Sequence, residues 1–217
     1  MNPNPRLKID FVSDVSCPWC IIGLNSLQRA IDALGGDVEV DLHFQPFELN
    51  PGMAPEGQDM EEHLAGKYGL TPAQLAQNSE AIRARGEELG FTFNMDKRKR
   101  VYNTFDAHRL LHWAGLEGRQ VALKRALFSA YFTDGENPGD HEVLPRLAAE
   151  AGLDPARARE ILSSGAYTQE VREQESHYQN LGIHSVPSII INDRYLVQGG
   201  QPPEVFEQAL RQIAAGE

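Results

Sequence analysis

The sequence predicts an α/β fold in which one sheet is assembled from both ends of the chain and a long all-helical segment is inserted between its two halves. Three observations carry this reading. The first 47 residues read strand, helix, strand; residues from about 60 to 182 repeat apolar positions at helical spacing almost throughout; the pattern then switches abruptly to two β-rich runs and a last amphipathic helix. The expected division is residues 1–55 for the first part of the sheet domain, 56–182 for the helical insertion and 183–217 for the second part of the sheet domain.

Leu7-Lys8-Ile9-Asp10-Phe11-Val12 alternates and is rich in β-branched and aromatic residues, as a strand requires. Ile21, Ile22, Leu24, Leu27, Ala30, Ile31 and Leu34 then recur at helical spacing until Gly35-Gly36 ends the run. A second strand follows, with Val38, Val40, Leu42 and Phe44 alternating against Asp37, Glu39, Asp41 and His43. Within the helical stretch, Thr71-Pro72 and Asp154-Pro155 are N-cap residues followed by proline at the first helical position, where its missing N–H costs nothing. Further helices are expected near 103–116, 118–132, 141–151 and 167–181. In the stretch from Ser185 to Gln198, two β-rich runs flank Asn192-Asp193-Arg194 as a hairpin, and Pro202-Pro203 open a final helix carrying Val205, Phe206, Leu210 and Ile213.

Composition narrows the function. With 217 residues and 41% hydrophobic content the chain can bury a sizeable core, and a net charge of −11 argues against a nucleic-acid surface. The exception is Lys97-Arg98-Lys99-Arg100, a solvated loop or helix start, or else a local site for a carboxylate of a peptide or glutathione. There is no apolar run of membrane-spanning length and no secretory segment before the first strand, so the expected location is cytoplasmic.

The only two cysteines fall in Cys17-Pro18-Trp19-Cys20, where the first strand runs into the first helix. Two thiols at this spacing can close a small disulfide ring and open it again. Pro18 suits the first helical position, which puts Cys17 at the helix N-terminus, where unpaired N–H groups and the helix dipole favour a thiolate. Cys20, a turn further in, is expected to be more buried and closer to an ordinary thiol. This assigns Cys17 as attacking nucleophile and Cys20 as resolving thiol. Zinc would need four donors, and His108 with His112, at i and i+4, lack the arrangement of a metalloprotease helix. A bridge this short constrains little of the unfolded chain, and a cytoplasmic location disfavours a permanent one. Redox chemistry is therefore the strongest reading.

With Ser16-Cys17-Pro18-Trp19-Cys20, Asn103-Thr104 ahead of Ala107-His108-Arg109, and Ser185-Val186-Pro187 before Ile189-Ile190-Ile191, the whole chain resembles the thioredoxin fold in its DsbA-type form, and most nearly the cytoplasmic FrnE-like branch. The resemblance implies that Pro187 is the loop proline that is cis beside the redox cysteines, with the Val186 backbone open to an extended substrate. Pro18 and Trp19 would tune the thiolate. Asp10 would be the buried acid that relays a proton to or from Cys20, with Asp14 as its rival. Asn103 and His108 begin a helix against the active-site face, as candidates for substrate contact or for capping and packing.

The mechanism this implies is thiol–disulfide exchange with protein or small-molecule substrates, needing no metal or organic cofactor, with glutathione a candidate co-substrate and the chain a monomer or homodimer. Two other readings stand beside it. One is a glutathione-dependent isomerase or transferase of the 2-hydroxychromene-2-carboxylate isomerase and kappa type, against which the intact cysteine pair counts. The other is a chaperone-like binding module with a groove lined by Trp19, Phe47 and Tyr102.

Overall fold

The computed structural model describes residues 4–216; residues 1–3 and 217, at the outer ends of the first and last expected segments, lie outside the described residues. Strand β1 (Arg6–Ser13) is central and is buried along most of its length. It pairs in parallel with β2 (Glu39–Pro46) and antiparallel with β5 (Ser188–Ile191), whose outer neighbour is β6 (Tyr195–Gln198), giving the order β2-β1-β5-β6. The β5–β6 turn uses Asn192 and Asp193 at φ +52° and +55°, the left-handed conformation that these two residue types tolerate in a tight hairpin.

Alternation along β1 sorts its residues. Leu7, Ile9 and Phe11, with Ile189 and Ile191, face α1 (Pro18–Ala33) and α9 (Pro203–Ala214), where Leu24, Leu27, Phe206 and Leu210 complete the main core. Val12 and Ile190 face the other way, onto Tyr178 of α8 (Thr168–Asn180).

Between the halves of the sheet lie α2 (Met60–Tyr68), α3 (Pro72–Glu88), α4 (Phe105–Leu116), α5 (Gln120–Ser129), α6 (Val143–Glu150), α7 (Pro155–Ser164) and α8. Thr71 and Gln74 form a reciprocal capping box at the start of α3, and the Asp154 carboxylate accepts from the Ala156 N–H at the start of α7. Two features have no counterpart in the sequence reading. The end of the fourth expected helix widens into a π-helical turn at Ala130–Asp134, and β3 (Gln58–Asp59) pairs with β4 (Arg100–Val101) in a ladder too short to show a period.

The insertion shares the sheet's core. Leu89, Phe93, Phe128, Tyr131 and Phe132 belong to the same apolar cluster as Phe11, Cys17 and Cys20, while Val15, just past β1, enters the helical cluster of Leu110, Trp113, Leu123, Leu127 and Leu144. Each such large side chain, fully buried, contributes roughly 1.5–3 kcal/mol, so the junction between β1 and α1 is held from both sides.

A polar clamp fixes α5 against the sheet. The Phe44 N–H donates to Gln120 Oε1 at 2.8 Å, and Gln120 Nε2 donates to the carbonyls of Phe44 at 3.0 Å and Leu111 at 3.2 Å. It covers the outer edge of β2 and so satisfies backbone groups that a sheet edge leaves open. Gln120→Ala should lower stability by about 1–3 kcal/mol, the usual cost of leaving buried polar groups unpaired. A urea unfolding midpoint equal to that of the parent protein would show that water takes over the clamp.

Candidate functional site

Helix α1 begins at Pro18, with Cys17 as its N-cap residue in extended conformation, φ −94° and ψ 114°. The Cys17 N–H donates to the Asp14 carbonyl at 3.3 Å and the Cys20 N–H to the Cys17 carbonyl at 3.1 Å, so the two thiols are presented by one tight turn. Both are free thiols. Cys17 is 4% exposed and Cys20 not at all, whereas Trp19 between them is 42% exposed at the rim.

The second half of the site comes from the other end of the chain. The Val186–Pro187 bond is cis, and the Cys17 thiol donates to the Val186 carbonyl at 3.7 Å across 169 positions of sequence. Pro187 is buried against α1 at Gly23, where an added Cβ would come within 3.1 Å of Pro187 Cγ and 3.5 Å of the Phe11 ring. Gly200 closes the other side, with an added Cβ 3.1 Å from the Trp19 carbonyl and from Ile22 Cγ2. Glycine at these two positions is what allows loop and helix to touch.

The carboxylate brought to the cysteine pair is that of Asp14. Its oxygens accept from Ser16 Oγ at 2.9 Å and the Leu49 N–H at 2.8 Å, and His108 Nε2 lies 3.4 Å away. Burial alone would raise this acid; the hydrogen bond and charge of His108, with the Leu49 amide and the Thr104 hydroxyl, outweigh it and hold the carboxyl at about 2. The expectation for Asp10 is corrected here. Asp10 is buried too, but strand alternation turns it with Ile190, its partner across the ladder, toward α8, the face opposite the Cys20 cluster. It pairs there with Lys8 Nζ at 2.9 Å and accepts from Gln45 Nε2 at 2.6 Å.

Asn103 and His108 both have partners within the fold. Asn103 Nδ2 donates to the Met53 carbonyl at 3.1 Å and its Oδ1 accepts from the Phe105 N–H at 2.9 Å, so the side chain is used up in starting α4. His108 is buried against Asp14, and Arg109 ties α4 to the carbonyls of Ala166 and Ile161. His112 meets Gln174 instead of joining His108. In the basic run, the Arg98 guanidinium lies over the Tyr131 and Phe132 rings and Arg100 donates to the carbonyls of Glu56 and Gly57, which gives both arginines structural partners. Phe47 and Tyr102 are half-buried and pack against different apolar clusters, while Trp19 is exposed.

Two residues near the thiols went unnoticed in the sequence. Tyr68, at the end of α2, is 54% exposed; burial and the Cys17 charge both raise its phenol. Lys67 beside it anchors α2 by donating to the Leu49 carbonyl and Asn50 Oδ1, both at 2.7 Å. Lys124 is fully buried, with Nζ 5.6 Å from the Phe44 ring centre and 5.1 Å from that of Phe128, and without a hydrogen-bond partner among the described residues. Its signal was legible: a lysine in the middle of the apolar stripe formed by Leu123, Leu127 and Phe128. Burial pushes the Cys20 thiol well above its ordinary value, Cys17 pushes it further, and Lys124 and the Asp14 backbone oppose them.

A family model described as the DSBA-like thioredoxin domain matches residues 8–211. The chain belongs to this family. The uncharacterized protein YwbO of Bacillus subtilis (strain 168) is 30% identical over 205 residues, 94% of this chain and 96% of that one. The crystal structure of a probable DsbA oxidoreductase, SCO1869 of Streptomyces coelicolor, superposes with a TM-score of 0.87 at 36% identity, covering 97% of this chain and 91% of the other. The cytosolic disulfide reductase DsbM of Pseudomonas aeruginosa, solved with GSH, shares the fold at a TM-score of 0.62 and 20% identity, over 94% and 98% of the two chains. No helix among the described residues is long and apolar enough to cross a membrane.

The depressed Asp14 acid makes a definite pH prediction. Its folded-state value of about 2 lies below the unfolded 3.8, so its stabilisation is complete above about pH 4 and is lost as pH falls toward 2. That difference corresponds to about 2 kcal/mol. Thermal unfolding of Asp14→Asn should show a deficit near pH 7 that shrinks below pH 4; a deficit independent of pH would mean that the charge of Asp14 is not what stabilises the loop.

Proposed function

We propose that this protein is a dithiol–disulfide oxidoreductase that cycles between a Cys17–Cys20 dithiol and disulfide. The observation that carries the reading is the pairing of two free thiols on the first turn of α1 with the cis Val186–Pro187 loop, 3.7 Å from the Cys17 sulfur. The Cys17 thiolate attacks one sulfur of a substrate disulfide, forming a mixed disulfide and releasing the other sulfur as a thiolate. Cys20, as thiolate, then attacks Cys17 Sγ; the second substrate sulfur leaves, and substrate reduction is balanced by oxidation of the pair to Cys17–Cys20. Two equivalents of a thiol such as glutathione return the dithiol and become the corresponding disulfide. The reverse sequence oxidises a substrate dithiol.

Trp19 and Tyr68 form an exposed aromatic rim over a nearly buried nucleophile, which favours a substrate that enters lengthwise beside Val186. No metal or organic cofactor takes part, and a cytoplasmic setting, with protein disulfides or glutathione as substrates, is the one we favour. The intact cysteine pair counts against a glutathione-dependent isomerase or transferase.

The protein should reduce insulin disulfides in the presence of dithiothreitol. Cys17→Ser should abolish the activity, and Cys20→Ser should accumulate a mixed disulfide visible by mass spectrometry. Undiminished turnover in the Cys17 variant would overturn the reading, and full activity in the Cys20 variant would point to the transferase chemistry.

A further inference from the structure

Resolution of the mixed disulfide needs a thiolate at Cys20, a sulfur with no exposed surface in an apolar cluster. Burial of a charge without a partner is costly, so a resolving thiolate in this position requires a nearby cation. We propose that Lys124 is the positioning residue for this half of the reaction: its buried ammonium is the cation against which the Cys20 thiolate forms. The inference rests on the dithiol–disulfide reading above.

Three observations place Lys124 in this role. Gln120, one turn earlier on α5, is clamped to both backbone groups of Phe44, and the i to i+4 repeat puts Lys124 on that same sheet-facing side. Its Nζ lies beside the rings of Phe44 and Phe128, which share the apolar cluster of Cys17 and Cys20. Nζ has no hydrogen-bond partner among the described residues, although every unpaired buried ammonium destabilises the fold. A group kept at that cost is one that function uses.

The titratable groups facing Lys124 are Cys20 and Cys17 from α1 and its cap, Asp14 from the preceding loop, and His108 and His112 from α4. Burial draws the Lys124 ammonium down to about 8, while Cys20, Asp14 and Cys17 act in the opposite sense. Cys20 and Lys124 therefore titrate as a pair. Among the forms of the pair that have released one proton, the one that keeps the remaining proton on nitrogen has the sulfur as its nucleophile. Beside Lys124 lies a cavity of about 10 Å³, lined also by His108, His112, Gln45 and Gln174 among others, at the lower limit for a single water. The Cys20 S–H bond is broken, the S–S bond to Cys17 forms, and the departing substrate thiolate takes a proton from solvent, so protons and electrons balance.

The test uses the full chain and 5,5′-dithiobis(2-nitrobenzoate), which releases one coloured thiolate when Cys17 attacks and a second when Cys20 resolves. Lys124→Met, close in shape and uncharged, should slow the second release at pH 7 roughly tenfold for each unit by which the Cys20 ionisation moves up, and far more than the first. The variant should also unfold at an equal or higher temperature, because an unpaired buried charge has been removed. Lys124→Arg should restore part of the second rate. An unchanged second release, or equal slowing of both releases, would overturn the role of Lys124. So would loss of stability in Lys124→Met, which marks a structural residue; if that variant does not fold at all, a wild-type second release that does not rise with pH through about 8 does the same. Absence of any second release in the parent protein would instead refute the dithiol mechanism itself.

Discussion

The Asp14 carboxylate is the interaction on which the site depends. A buried charge is tolerated only when donors surround it, and here the donors come from three places in the chain: Ser16 in the loop before α1, the Leu49 amide after β2, and His108 at the start of α4. The same residue's backbone carbonyl holds the Cys17 amide. The loop that carries the thiols, the exit from the second strand and helix α4 of the insertion are thus fixed by one side chain. Lys67 grips the Leu49 carbonyl from the far side, which extends the arrangement to α2 and brings Tyr68 to the rim.

The helical insertion is part of the redox site rather than a cover over it. Phe128, Tyr131 and Phe132 share an apolar cluster with the cysteines, and Lys124 sets a positive charge among them. The sheet supplies the thiols and the cis-proline loop; the helices supply much of the apolar surroundings in which both sulfurs are buried.

Much of this was legible in the sequence because local physics decided it. Capping residues marked Thr71 and Asp154, period-2 alternation marked β1 and β2, and proline beside cysteine marked the start of α1. The assignment of Asp10 rests on resemblance, which strand parity overrides: Asp10 lies on the face of Val12, and only Asp14, beyond the strand's last residue, escapes the alternation. Asn103 and His108 stood out correctly as a pair at a helix start, but their partners, Met53 and Asp14, lie 50 and 94 positions away, where no local pattern reaches. The β3–β4 ladder is two residues long on each side, below any periodic signal.

The central place of β1 has a consequence for how the protein is made. Its antiparallel partner β5 begins at Ser188, so the sheet can close only after synthesis has passed that strand. Until then the two thiols emerge early and lack the Val186–Pro187 loop that limits what can reach them. Thiol chemistry in the nascent chain is therefore governed by the surrounding redox buffer until the Val186–Pro187 loop folds against Cys17.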